Sequence, residues 1–258
     1  IKDNVAVGYG ALTAVTNAIG NTAIGGRSVL AGITTGGNNV AVGSGAGQSA
    51  TTTSDLVLLG NSAGNLFDGT GPNGSIAIGK SALAVHTTGA RNIAIGWEAM
   101  HDTNAGSTAQ GSSDNIFMGY QAGGGTWANA ASNYNVAIGN LSMDGPLNGA
   151  SNNTTIGYQC LTDLTQGDQN TALGYRSLHQ VTTGGNNIGI GANVGFAMTT
   201  TANTVLIGTS AGGAINSADA DGTVAIGYQA LQDLTSGQYN NALGYRALAD
   251  LTTGDYNV

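Results

Sequence analysis

The sequence predicts an all-β repeat fold, a β-solenoid of about fourteen coils of ~17 residues each. Three observations carry this. A phrase recurs along the whole chain: TVAIGYQALQDLTSG at 223–237, then QYNNALGYRALADLTTG at 238–254, then DYNV at 255–258. Each phrase holds a short run with a period of two, ended by glycine. An asparagine stands at a fixed distance before most of those glycines. One unit of this size cannot bury its apolar side alone, so units must stack on one another or on other chains.

The glycines that end the runs are Gly8, Gly25, Gly43, Gly60, Gly79, Gly96, Gly119, Gly139, Gly157, Gly174, Gly191, Gly208, Gly227 and Gly244, and they serve as anchors for each unit. Spacings are 17 to 20 residues, except for 23 between Gly96 and Gly119. The residue before each anchor is aliphatic or Met, the slot two earlier is mostly Val, Ile or Thr, and a small residue, usually Ala, lies between. This alternation fits a short strand with large side chains on one face and small ones on the other. The large residues, from Val5 and Val7 through Ile76 and Ile78 to Val224 and Ile226, are expected to be buried. Stacked ~4.8 Å apart, fourteen such strands make a rod roughly 65 Å long.

Four residues before the anchor, ten units carry Asn, among them Asn21, Asn39, Asn153, Asn170 and Asn187. Asparagine at a recurrent corner bonds the backbone and tolerates a left-handed conformation, and in register its amides can form a ladder. The anchors themselves are expected at corners, with positive φ or where a Cβ would strike a neighbour. After the anchor comes Tyr in six units and Trp97 in a seventh, then a small residue, with Leu or Val four and seven positions on, as in Leu161/Leu164. A spacing of three is not strand alternation. A second short strand with a bend is the expectation for this half of the unit.

A longer period lies on top. TTGGNN at 34–39 recurs at 182–187, and VLLGNSAG at 57–64 is echoed by VLIGTSAG at 205–212. Residues 1–110 and 149–258 therefore read as two copies of one block offset by 148 or 149 residues, within one continuous array over 1–258. The chain begins and stops within a phrase, as a piece of something longer would.

Composition narrows the function. Of 258 residues 44 are Gly and only 8% are charged, against about 25% charged in ordinary globular domains. A net charge of −8 with six Lys plus Arg argues against nucleic acid and against docking on anionic lipid. No apolar stretch approaches the ~20 residues of a membrane span, so no membrane insertion is expected of this segment. The lone Cys160 forms no intrachain disulfide and sits in the small slot shared by Ala11, Ser28 and Ala230, as a buried inert thiol would.

No catalytic, cofactor or metal site stands out. GGRSVLAG at 25–32 and GSGAG at 43–47 lack the lysine and the strand–helix context of a phosphate loop. His86, His101 and His179 occupy different slots and form no metal-binding spacing; His86 takes a Leu/Val slot and reads as structural. Asp219 and Asp221 flank an insertion and read as a solvated loop, without tandem calcium motifs. The expectation is a non-enzyme.

The runs NVAVG (4–8), NVAIG (135–139) and TVAIG (223–227) resemble the head repeats of YadA-type trimeric autotransporter adhesins. NTALGYRSLHQVTTGGNN at 170–187 is similar to repeats of bacteriophage tail fibres. The resemblance spans all fourteen units and implies a left-handed parallel β-roll whose three chains share a core. The Leu-Thr-Thr-Gly segments are longer than in the adhesin pattern, whose units are nearer fourteen residues. The residues support a homotrimer independently: each unit offers one convincing strand, three chains bring three around one axis, and the Ala slot lets backbones approach.

These readings point to a trimeric extracellular fibre segment, displayed on a virion or bacterial cell surface, that attaches to a host cell-surface glycan or protein. The alternatives are a monomeric Thr-rich solenoid of the ice-binding kind, motivated by Thr34-Thr35, Thr87-Thr88, Thr182-Thr183 and Thr252-Thr253, and a purely structural spacer. Recognition tends to lie on loops held by a rigid array. The two longest units therefore supply the candidate contact site, with loops 100–114 and 121–134 bulging together and presenting Trp97, Glu98, His101, Asp102 and an exposed Trp127.

Overall fold

The computed structural model describes residues 3–103 and 111–258, and is an all-β parallel solenoid of about fourteen turns. Its contacts divide into two compact units, Ile1–Tyr134 and Asn135–Val258. The first unit contains β1 (Val5–Val7), β2 (Thr22–Ile24), β3 (Val40–Val42), β4 (Val57–Leu59), β5 (Ile76–Ile78), β6 (Ile93–Ile95) and β7 (Ile116–Met118). The second contains β8 (Val136–Ile138), β9 (Thr154–Ile156), β10 (Thr171–Leu173), β11 (Ile188–Ile190), β12 (Val205–Ile207), β13 (Val224–Ile226) and β14 (Asn241–Leu243), with a 3₁₀ turn at Ala218–Ala220. Inside each unit every strand pairs in parallel with the strand of the next coil, equivalent positions opposite one another, as in Thr171↔Ile188 and Ala172↔Gly189.

The expected burial of the strands is reversed. The middle residue of each strand faces the coil interior: Ala23, Ala41, Ala77, Ala94, Ala137, Ala172 and Ala225 are fully buried. The flanking Val and Ile residues point out and stay half-buried or exposed, with Val40 40%, Ile156 46% and Ile188 38% accessible. Ile78 and Ile226 are half-buried. Parity explains this. The corner Asn, four before the anchor, shares its face with the residue two before it, and the amide is held inside the coil. A one-residue change of register would flip every side chain.

The asparagine ladder forms as its spacing suggests. Asn170 Nδ2 donates to Asn153 Oδ1 (3.0 Å) and to the Gly184 carbonyl (3.0 Å), and its Oδ1 accepts from the Asn187 amide (3.1 Å). Asn21 and Asn39 repeat the arrangement in the first unit, with Asn39 Nδ2 donating to Asn21 Oδ1 at 2.8 Å. These amides are fully buried, so each must be satisfied, and each ties one coil to the next.

The segment after the anchor is not a second strand. It is a chain of turns in which residues two and four past the anchor adopt left-handed backbone, as at Gln159 (φ 53°) and Leu161 (φ 47°), or Arg176 (φ 51°) and Leu178 (φ 50°). Such conformations cost roughly 1–2 kcal/mol each for L-residues. They are held because their amides bond to neighbouring coils: Arg176 N to Tyr158 O (2.9 Å) and Leu178 N to Val194 O (2.9 Å). The extra residue Gly26 shifts the second coil, so Val29 rather than Ser28 fills the buried small slot there.

Core volume is conserved by exchange between two slots. Where the strand centre is Ala, the position four past the anchor is large in most coils, as in Ala77/Leu83, Ala94/Met100, Ala137/Met143 and Ala172/Leu178. At Ala41/Gly47 and Gly189/Gly195 both are small, and Leu30 and Leu58, or Leu178 and Leu206, of the adjoining coils fill the space. Where the centre is Leu58, Phe117 or Leu206, that position is Gly64, Gly123 or Gly212. A Cβ on Gly123 would come within 2.5 Å of the Phe117 ring, and one on Gly212 within 2.8 Å of Ile215. Interiors packed like crystals require such compensation. The anchors have φ between 118° and 158°, and a Cβ on Gly174 would lie 2.5 Å from the Gly191 carbonyl oxygen, in the next coil of the same chain.

Candidate functional site

The most extensive chemical feature is the outward face of the strand ladders. In the first unit thirteen of its fourteen positions are aliphatic or Met, Thr22 being the other; in the second unit eleven of fourteen are, with Thr154, Thr171 and Asn241 the rest. No charged residue lies on it. Contiguous exposed apolar surface of this extent marks an interaction site.

Beside this stripe runs a row of exposed aromatics in the slot after the anchor. Tyr158 stacks on Tyr175 (centroids 5.8 Å, 10° between planes) and Tyr228 on Tyr245 (5.3 Å, 11°). Trp97 meets Tyr120 edge-on at 5.6 Å, with Lys80 Nζ 5.3 Å from the indole. The coil repeat sets this geometry, since equivalent slots of adjacent coils lie one strand spacing apart.

The site expected at the two longest units is only partly assembled. Trp97 is 50% exposed, in the aromatic row. Glu98, beside it in left-handed backbone, accepts from Gln121 Nε2 at 2.9 Å. His101 and Asp102 are half-buried, and Asp102 Oδ2 accepts from the Thr126 hydroxyl at 2.5 Å. Trp127 contradicts its expected exposure: it is fully buried, packs edge-on against Phe117 (5.6 Å) and donates Nε1–H to the Gly123 carbonyl at 3.0 Å. It lies eight residues past its anchor Gly119, and the space left by Gly123 admits the Phe117 ring and the indole together. Residues 104–110 of the loop 100–114 lie outside the described residues. Arg91 and Asp114, either side of them in sequence, form a two-pronged exposed pair at 2.6 and 2.8 Å, which raises the arginine pKa and lowers that of the carboxylate.

The titratable interior is structural. His86 fills a core slot, fully buried, with Nδ1 3.0 Å from the Thr103 hydroxyl and Nε2 3.0 Å from the Gly89 carbonyl and 3.1 Å from Asn92 Nδ2. Burial pushes its pKa down to about 4, with the Gly89 carbonyl pulling the other way. Cys160 is buried, its thiol facing the Gly174 carbonyl at 2.7 Å, and loss of solvent raises its pKa, away from a reactive thiolate. Asp221 accepts from the Ala202 amide at 2.7 Å, and Asp219 sits in the 3₁₀ turn capped by Ser217. Among the described residues no three His, Cys, Asp or Glu side chains cluster to hold a metal ion, and no helix is long and apolar enough to cross a membrane.

A feature that the sequence reading missed is a groove of about 330 Å³ on the turn face of the second unit, around Gly213 and Ala214. Its signal was present in the block duplication. The equivalent residues of the first copy, 148 positions earlier, are Asn65 and Leu66. The chain matches no protein-family model, and no curated protein matches it.

Proposed function

We propose that this chain is a non-enzymatic segment of a homotrimeric extracellular fibre that attaches a virion or bacterial cell to a surface. The observation that supports it is the uncharged aliphatic stripe on the outward strand face. Removing the exposed half of a Val or Ile from water contributes roughly 1 kcal/mol, half of what full burial of the side chain gives. Repeated along a unit, this exceeds much of the ~4–15 kcal/mol cost of association. Three chains, each of net charge −8, can approach closely only through a face free of carboxylates. In this reading the left-handed roll directs the stripes at a common axis, while the aromatic row with Trp97 and Tyr120 lines the edge of each contact. The remaining turn faces are left for a host glycan or protein.

The ice-binding alternative fares worse. Its Thr pairs lie in the turns and not on the flat strands. The first Thr of two pairs is engaged within the array, Thr34 donating to the Thr51 carbonyl (3.0 Å) and Thr182 to that of Thr199 (3.1 Å), while Thr35, Thr88, Thr183 and Thr253 are exposed.

Attachment is tested by incubating labelled protein with a panel of bacterial envelopes and isolated surface polysaccharides. Retention is expected for the native chain and lost for Ile188→Asp/Ile190→Asp, which places carboxylates on the stripe. Retention by no surface, or equal retention by the variant, contradicts the reading.

A further inference from the structure

We propose that the groove at Gly213 and Ala214 is a binding subsite for one neutral pyranose unit of a glycan. The groove exists because one turn position loses its side chain, at Gly213, beside a slot that holds only a methyl in this coil and the one before it, Ala214 and Ala197. Five residues past their anchors, successive coils carry His179, Phe196, Gly213 and Gln232; six past, Gln180, Ala197, Ala214 and Asp233. The coil with Gly213 and Ala214 is thus a notch one strand spacing high, walled by Phe196 on one side and by Gln232 and Asp233 on the other. Asn193 and Ser210, two past their anchors, complete the lining with Arg176.

The chemistry of these walls suits a sugar. A pyranose offers an apolar C–H face and a rim of hydroxyls. Phe196 supplies the apolar wall, and His179 stacks behind it at 5.1 Å and 24°, fixing the ring. The Asp233 carboxylate accepts from two hydroxyls at once, and Asn193 and Gln232 each offer both donors and an acceptor. Asp233 disfavours an acidic sugar. Arg176, whose Nε donates to Gln159 Oε1 (2.7 Å) and whose guanidinium lies 5.4 Å from the Tyr175 centroid, balances the Asp233 charge and keeps further N–H donors for hydroxyls, so the lining is neutral overall. A groove of about 330 Å³ accommodates one hexose and leaves its ends open for a continuing chain, at the lower end of the ~300–1,000 Å³ of ligand sites.

The chain contains its own control. In the first copy of the block the same coil carries Asn65 and Leu66, and Asn65 Nδ2 reaches the Gly45 carbonyl at 3.0 Å across the place that the notch leaves open. Phe196 and Asp233 correspond there to Gln48 and Val85. A polar groove of about 350 Å³ lies over the corresponding Arg27, Gly45, Gln48 and Ser62 of the first copy, so what the second copy adds is the aromatic wall, the carboxylate and the opening at Gly213 and Ala214. Substituting Gly213 is feasible because its backbone does not need glycine, and an added Cβ approaches nothing nearer than the Ser210 carbonyl at 3.3 Å.

This inference rests on the attachment reading for the source of its ligand, and the two are tested apart. Saturation-transfer NMR would be run on the whole chain with glucose, galactose, mannose and N-acetylglucosamine. At least one sugar is expected to bind with a millimolar Kd. Phe196→Ala and Asp233→Asn should each weaken it at least ~tenfold, a difference of about 1.4 kcal/mol. Gly213→Asn/Ala214→Leu, which copies the first block, should abolish it with the circular dichroism unchanged. Transfer to none of the sugars, or equal transfer in the filled variant, overturns the subsite. Intact attachment by the filled variant would also overturn it while sparing the fibre reading; sugar binding without attachment would do the reverse.

Discussion

Gly174→Ala and Gly244→Ala form a matched pair that isolates what the next coil contributes at an anchor. Both glycines have nearly the same backbone, φ 126° and 130°, so the conformational strain of an L-residue is common to both. It is on the order of 1–3 kcal/mol. They differ in surroundings. A Cβ on Gly174 would lie 2.5 Å from the Gly191 carbonyl oxygen and 2.8 Å from its carbon, whereas one on Gly244 meets nothing within 4 Å. Relieving that overlap requires adjacent coils to part by several tenths of an ångström, against a parallel strand ladder on one side and the Asn153–Asn170–Asn187 amides on the other. Overpacking of this kind costs roughly 1–3 kcal/mol. Gly174→Ala should therefore lose about that much more stability than Gly244→Ala. Hydrogen exchange of the amides of Thr171, Gly174 and Ile188 reads the local opening, because stability in an array is a sum over neighbouring coils. Equal protection in the two variants would refute the claim that anchors are glycine because coils touch there.

Other outcomes follow from the same geometry. Asn170→Ala leaves the Gly184 carbonyl and the Asn187 amide without the side chain that bonds them, and should cost roughly 2–4 kcal/mol in chemical denaturation. Trp127→Ala, at a residue expected from sequence to be exposed but fully buried in the fold, should lower stability by about 3–5 kcal/mol, as for a buried aromatic. His86 has a folded-state pKa depressed to about 4, so its contribution is complete above its unfolded value of 6.5 and is lost as pH falls from there through 4. Denaturation midpoints should fall over that window by an amount on the order of 3 kcal/mol, and His86→Leu should remove this component of the slope. At exposed Gln169 (φ 59°), Val should cost at least ~1 kcal/mol more than Gly, by differential scanning calorimetry.

The repeat period, the anchors and the strand in each coil were legible in the sequence because every coil obeys one geometric rule. The asparagine ladder was legible for the same reason. The inward face was misassigned because alternation shows that two faces exist without naming them. The buried Asn, on the same parity as Ala, was the clue. The turn half was misread because its left-handed residues are Leu, Gln and Arg, whose preferences argue against that backbone; only bonds between coils hold it. Trp127 was misplaced because its rarity suggested display, whereas the Phe117/Gly123 exchange made room for it inside. Arg91 and Asp114, 23 residues apart, pair only once the coils are stacked.

The central claim, that the aliphatic stripe is covered by further copies of this chain, is tested most directly by sedimentation equilibrium of the native protein. The account predicts a single species of three times the 25.4 kDa chain mass, unchanged on dilution through the micromolar range. A species of one chain mass at every concentration would contradict it.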